Sequence, residues 1–205
     1  MCGTFYIDDD TAKEIEKTIR MVDEKLKMKR FTGVIRPTDM AAVISTDNNI
    51  MKLSPQKWGF PAFESSKVII NARAESVLER KMFRESVLHR RIIIPATGFY
   101  EWNNQKEKVS FTPSHQTNKQ SNILYMAGFY NRFNGEDKFV ILTTAANDSM
   151  KEVHDRMPLI LEPQELESWL FEDKQLESFL NKIPPQLEKR QEYEQLNLTS
   201  FGIHN

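Results

Sequence analysis

Cysteine is almost absent from this chain: Cys2 is the one such residue in 205. A lone thiol excludes an internal disulfide and any zinc site assembled from cysteines. The four histidines (His89, His115, His154 and His204) are scattered, and none has the i, i+4 histidine partner that a helical metal site requires. No metal and no other cofactor is expected. The sequence also lacks a run of about 18 apolar residues, and its first residues lack the basic-then-apolar order of a secretory signal. A cytoplasmic chain without a membrane anchor is the expectation. Charge of one sign is missing too: the net charge is −1, so overall balance does not announce a nucleic-acid partner.

What is present is the composition of an ordinary folded protein, 40% apolar and 28% charged. The length suits a single domain over 1–205, with 182–205 a polar C-terminal tail. Thr11 and Glu14 form a capping-box pattern ahead of Ile15, Ile19, Val22 and Leu26, which predicts one amphipathic helix. Strands are expected at 41–46, 67–70 and 92–94, and a helix near 75–89. Segments 123–130 and 138–144 flank Asn134-Gly135, a pair that tolerates positive φ and favours a tight hairpin. The polar stretch 103–122 reads as a long loop with a short strand at 109–111. After Pro163, the spacing of Leu166, Trp169 and Leu170 predicts another helix, and Pro184-Pro185 ends a further one.

The sharpest chemical feature is Met1-Cys2-Gly3. An initiator Met is removed before a small residue, which leaves Cys2 with an α-amine and a thiol on adjacent carbons. With an aldehyde the amine forms a Schiff base, and the thiol then adds to the same carbon to close a five-membered thiazolidine. An internal cysteine cannot do this. Asn71, in Asn71-Ala72-Arg73-Ala74-Glu75, stands at the end of an apolar strand and either caps a helix or orients that amine, while Arg73 is placed to grip a phosphate. Glu101, between Tyr100 and Trp102 after a buried strand, is either a surface carboxylate beside core aromatics or a carboxyl suited to acid-base work. His154, in His154-Asp155-Arg156-Met157-Pro158, is either a structural histidine or a proton shuttle able to act on a sugar ring oxygen, with Arg156 beside it for a flanking phosphate. Between 73 and 91, six Arg or Lys face three Glu, a modest basic segment.

Met-Cys-Gly, Asn-Ala-Arg-x-Glu, Gly-Phe-x-Glu-Trp and His-Asp-Arg-x-Pro, in this order, resemble the pattern of the SRAP (SOS response-associated peptidase) family of abasic site processing proteins. The resemblance runs from Met1 to about Trp169. It implies an α+β fold with a bent, barrel-like antiparallel sheet and flanking helices. It also implies a basic groove for single-stranded DNA, and a covalent thiazolidine crosslink between Cys2 and a ring-opened abasic site that shields the lesion for repair. A monomer that associates with the nucleoid when bound to DNA is the matching expectation. Carried over by motif, Cys2 is the nucleophile, Asn71 positions it, Glu101 is the acid-base group and His154 its partner. Arg73 and Arg156 are phosphate contacts, Trp58 and Pro37 pack against bases near the lesion, and Thr143 lines the site.

The family name implies a cysteine-peptidase activity, and Cys2, Glu101 and His154 would also serve self-processing or reversal of the crosslink. Two other classes start from the same tripeptide or the same aromatics. One is an N-terminal-nucleophile amidohydrolase of the glutaminase kind, although its downstream Gly-His-x-Arg-Trp segment is missing. The other is a non-catalytic module that binds modified DNA. The chain departs from the family pattern at Thr4, where many members have Arg, and at Val34 in Val34-Ile35-Arg36-Pro37. Arg36 is the candidate for restoring the lost positive charge. Arg36→Ala should therefore weaken binding to single strands in a fluorescence titration, and an unchanged affinity would reject this compensation.

Overall fold

A computed structural model of the chain describes residues 2–19, 21–22, 28–63, 66–114 and 122–191. In chain order the elements are β1 (Thr4–Ile7), α1 (Asp9–Thr18), β2 (Met21–Val22), β3 (Gly33–Ile35), β4 (Met40–Asp47), β5 (Ile50–Trp58), β6 (Phe60–Pro61) and β7 (Val68–Ile69). These are followed by β8 (Asn71–Arg73), α2 (Lys81–His89), β9 (Arg91–Ala96), β10 (Gly98–Trp102), β11 (Lys108–Pro113), β12 (Leu124–Phe133) and β13 (Glu136–Ala145). The last are β14 (Arg156–Pro158), β15 (Ile160–Leu161), α3 (Leu166–Phe171), α4 (Leu176–Leu180) and β16 (Leu187–Gln191).

The fold class is α+β, as the resemblance implies. Strands β13, β12, β9, β4 and β5 follow one another in the larger sheet, and a pairing between β13 and β5 closes them into a ring. Four contacts around that ring are antiparallel and the closing one, Lys138 to Lys57 and Phe139 to Trp58, is parallel. A ring with an odd number of strands cannot alternate direction throughout, so one parallel seam is unavoidable. The expected barrel-like sheet is thus present, with one parallel seam among its antiparallel contacts. β9 is buried along its whole length, which accounts for its unbroken run of isoleucines: a strand covered on both faces loses the polar alternation. Asn134 (φ 52) and Gly135 (φ 83) make the two-residue turn between β12 and β13.

A second, antiparallel sheet runs in the order β16-β11-β10-β1-β3. Phe5 on β1 joins it to the barrel by packing on Trp58, ring centroids 5.1 Å apart. On the barrel's far side Trp169 of α3 is buried and donates its indole N–H to the carbonyl of Ile92 at 2.9 Å. Arg91, also buried, donates to the carbonyl of Trp169 at 2.6 Å and to Asp173 at 2.7 Å, so α3 is fixed to β9 by polar as well as apolar contact.

Three expectations need correction. α1 is capped by Asp8, whose carboxylate accepts from the Thr11 amide at 2.8 Å, and it ends at Thr18. Thr11 is buried and its hydroxyl is engaged by Thr97 at 2.8 Å; the apolar stripe was instead shared between a short helix and β2, which pairs with β5. Leu26 lies outside the described residues. The helix expected over 75–89 is a 3-10 turn at Ala74–Ser76 followed by α2. Finally, the polar tail begins later than 182: β16 pairs with β11, and the buried Asn147 clasps the approach to it. Its amide donates to the carbonyls of Pro184 (2.9 Å) and Pro185 (3.0 Å), and Ser149 accepts from the Leu187 amide at 3.1 Å.

Within the second sheet Gly98 faces the tightest approach. A Cβ there would stand 2.5 Å from the Phe111 carbonyl oxygen and 2.8 Å from the Tyr6 hydroxyl. The first is backbone of the paired strand and cannot step aside, so Gly98→Ala should cost about 1–3 kcal/mol. A lower urea midpoint is expected, and a wild-type midpoint would contradict this reading of the β10–β11 contact.

Candidate functional site

Cys2 is fully buried just ahead of β1. Its thiol makes a weak contact with the Thr4 carbonyl at 3.9 Å, and its own carbonyl accepts from the side-chain amide of Asn71 at 3.0 Å. Asn71 stands in β8, which runs parallel to β13 with Asn71 opposite Ile141. That placement overturns the helix-cap alternative, because the nearest α-helix starts ten residues on at Lys81. The other side-chain atom of Asn71, Oδ1, is buried without a hydrogen-bond partner among the described residues.

Glu101 reaches the same point from the neighbouring strand. Thr4 pairs with Tyr100, so the next residue of β10 lies beside the chain as it enters β1. Glu101 is only 5% exposed, which removes the reading of a surface carboxylate. Burial pushes the Cys2 thiol well above its ordinary range, and the negative charge of Glu101 pushes it further; the contact with Thr4 opposes both. At neutral pH the sulfur in the folded chain is therefore a thiol. The sign for stability follows: the preference for the neutral thiol supports the fold below the unfolded thiol's pKa and is lost as the pH rises into the alkaline range.

A second cluster is assembled by β8, β13 and β14. Thr143 pairs with Arg73 on one side, and Ala145 with Arg156 on the other. The guanidinium of Arg156, 8% exposed, forms a bidentate pair with Glu75 and donates to the Thr143 carbonyl at 2.6 Å. Hydrogen bonding from Arg156 holds the Glu75 carboxyl below its usual range despite some desolvation, and the charges of Arg156 and Arg73 add to the effect. His154 precedes this strand. Its Nδ1 accepts from the Arg156 backbone amide at 2.9 Å and lies 2.9 Å from a carboxylate oxygen of Asp155.

The structure thus gathers Cys2, Asn71 and Glu101 in one group and Thr143, Arg156 and His154 in another, with β8 as the link. Several expected roles change. Arg73 is exposed, whereas Arg156 is engaged by Glu75. Thr143 has no exposed surface; its hydroxyl lies 3.4 Å from Arg156 and from the Ala72 carbonyl, so it braces Arg156 and lines no open site. Trp58 is 0% exposed, with Phe5 and Phe139 against it and its N–H donated to the Ile70 carbonyl at 3.0 Å. A base has no room on either face, and Trp58 is a core residue. Pro37 is half-buried in a turn, residues 36–39, whose backbone clasps Trp58: the Thr38 amide donates to the Trp58 carbonyl and the Trp58 amide to Asp39. Arg36 is exposed in that turn.

Sequence reasoning missed Glu75, whose pairing with Arg156 joins distant segments and has no local signature, and Asp155, whose carboxylate meets the ring of the adjacent His154. It also passed over Phe63, 84% exposed, and Trp102, whose exposure contrasts with the burial of Glu101 beside it. No group of three or more His, Cys, Asp or Glu among the described residues is arranged to hold a metal ion, and no helix among them is long and apolar enough to cross a membrane.

A family profile described as SOS response associated peptidase (SRAP) matches residues 1–198. The abasic site processing protein YoqW of Bacillus subtilis (strain 168) is 31% identical over 182 residues, which span 83% of this chain and 80% of that one. The abasic site processing protein YedK of Escherichia coli (strain K12) is 27% identical over 182 residues, 83% of this chain and 79% of its own. A crystal structure of a protein from Bacteroides thetaiotaomicron superimposes with a TM-score of 0.74 over 93% of this chain and 91% of the other, at 22% identity, and shares the fold.

The coupling between Glu101 and Cys2 can be measured directly. Glu101→Gln removes a negative charge while keeping the shape, so the alkaline limb of iodoacetamide alkylation at Cys2 should move to lower pH. Burial remains the larger cause, so the shift is partial. An unmoved profile would mean that the carboxylate does not act on the thiol.

Proposed function

The chain belongs to the SOS response associated peptidase family, and from that premise we propose that it processes abasic sites by capturing them covalently, in single-stranded DNA, through Cys2. The observation that carries the proposal is the burial of Cys2 against Asn71 and Glu101, two polar side chains delivered to it by separate sheets. Supporting it are the relatives, whose names record abasic site processing.

The reacting group requires removal of Met1. A ring-opened abasic site presents an aldehyde. The Cys2 amine adds to its carbon, one water leaves as the imine forms, and the thiol adds across the C=N bond while its proton passes to nitrogen. One C–N and one C–S bond form, one water is lost, and nothing is oxidised or reduced. A buried neutral thiol needs a base when it attacks, and the departing hydroxyl needs an acid beforehand; the Glu101 carboxyl serves both in turn. Asn71 fixes the Cys2 carbonyl through its amide, and its buried Oδ1 offers an acceptor to the adjacent amine. His154 assists opening of the sugar ring by exchanging a proton with the ring oxygen. Arg73 contacts a phosphate, and the exposed Phe63 and Trp102 provide the stacking faces that Trp58 lacks.

The test is a denaturing gel of the mature protein incubated with a single strand containing one abasic site. The wild type should give a slow-migrating covalent band, Cys2→Ala none, and Glu101→Gln a rate lower by about 100-fold or more, the usual range for losing a general acid-base group. Arg73→Ala should leave the chemistry intact and lower the salt dependence of binding by about 0.7 in log-log slope, one phosphate on a single strand. A band that survives Cys2→Ala would end the proposal. Binding without any covalent band would favour the non-catalytic module instead.

A further inference from the structure

One nitrogen of His154 has two neighbours that ask opposite things of it. The backbone N–H of Arg156 donates to Nδ1 at 2.9 Å. Oδ1 of Asp155 stands 2.9 Å from the same atom. A ring nitrogen accepts from an amide only when it carries no proton, and it donates to a carboxylate only when it does. The two neighbours therefore select different states of the ring. With the amide engaged, the neutral imidazole carries its proton on Nε2. With the carboxylate engaged, Nδ1 keeps its proton, and Nε2 is a lone pair in the neutral ring or a second N–H in the cation.

The neighbours also differ in freedom. The Arg156 amide belongs to β14, which is paired with β13, and its guanidinium is fixed by Glu75 and Thr143. The backbone of Asp155 is held as well, its carbonyl accepting from the Ala146 amide at 2.9 Å. Its side chain, however, is 84% exposed, so the carboxylate can turn toward the ring or away from it while the amide cannot.

We infer that Asp155 is a positioning residue that keeps a proton on Nδ1 of His154, so that His154 exchanges protons with a bound lesion at Nε2. The inference rests on the proton-shuttle role given to His154 above. In the acid direction the imidazolium gives its Nε2 proton to the substrate oxygen and becomes the neutral ring with Nδ1–H against Asp155. In the base direction Nε2 takes a proton back, and nothing is consumed. The Arg156 amide favours the other neutral form, in which Nε2 already bears its proton and cannot accept one. The amide and the carboxylate thus favour opposite tautomers, and Asp155 draws the ring away from the one the amide selects.

The measurement is the tautomer ratio of His154, read from nitrogen chemical shifts of the full chain labelled with 15N-histidine at a pH where the ring is neutral. Asp155→Ala should raise the population protonated on Nε2, and Asp155→Glu should return part of it. Because the carboxylate is exposed and screened, the ratio is expected to change by about two- to fivefold. Crosslinking to a strand with an abasic site should slow by a similar factor in Asp155→Ala, with affinity for an undamaged single strand unchanged. An unaltered ratio in Asp155→Ala overturns the inference, and so does an altered ratio with a wild-type rate. If instead His154→Ala crosslinks at the wild-type rate, the role assigned to His154 fails, and the two failures are thereby distinguishable.

Discussion

The indole of Trp58 sits where the two halves of the architecture meet. It pairs with Phe139 across the parallel seam that closes the barrel, lies against Phe5 of the second sheet, and donates its N–H to the carbonyl of Ile70. Phe5 is three residues from Cys2, and Ile70 immediately precedes Asn71. One rigid side chain therefore sets the spacing between the strand that brings the nucleophile and the strand that brings its amide partner. Interiors packed at crystal-like density transmit such spacing without slack. The Asn71 to Cys2 contact, which spans 69 positions of sequence, can be held at hydrogen-bonding distance because the aromatic stack beneath it does not give.

Around that frame the charges are arranged in two different ways. Glu101 is placed against a thiol that burial already keeps protonated, so the pair disfavours a standing thiolate. Glu75 is placed against a guanidinium, which favours the ionised form of its carboxyl. The first arrangement stores a proton beside the reacting atom. The second neutralises an arginine and uses it as a bracket, holding β14 to the 3-10 turn after β8 and so steadying the turn that presents His154.

Much of this is legible in the residues. Asn134-Gly135 announces its hairpin because few pairs accept two positive φ values, and the isoleucines of β9 announce a strand covered on both faces. The four motifs mark the segments that converge, and Cys2, Asn71 and Glu101 do meet. What the residues do not reveal is which partner each one finds. Trp58 resembles a base-stacking aromatic until the seam puts Phe139 against it. Arg156 reads as a free cation until β14 is laid beside β13 and Glu75 comes within reach. Asp8, not Thr11, caps α1, since both have the right chemistry and only the direction of the entering strand decides between them. Residues 187–191 look like tail because an edge strand needs no apolar alternation on its open side.

The long span between Cys2 and its companions has a bearing on biosynthesis. Cys2 leaves the ribosome well before Asn71 and Glu101, and the strands that carry those two depend on distant pairings that form slowly. In the nascent chain the thiol therefore stands in water, without Asn71 or Glu101 beside it. Only completion of the topology buries the sulfur and brings Asn71 and Glu101 to it together. Folding thus acts as a safety catch on the one sulfhydryl of the chain, enclosing it as the last long-range strands pair.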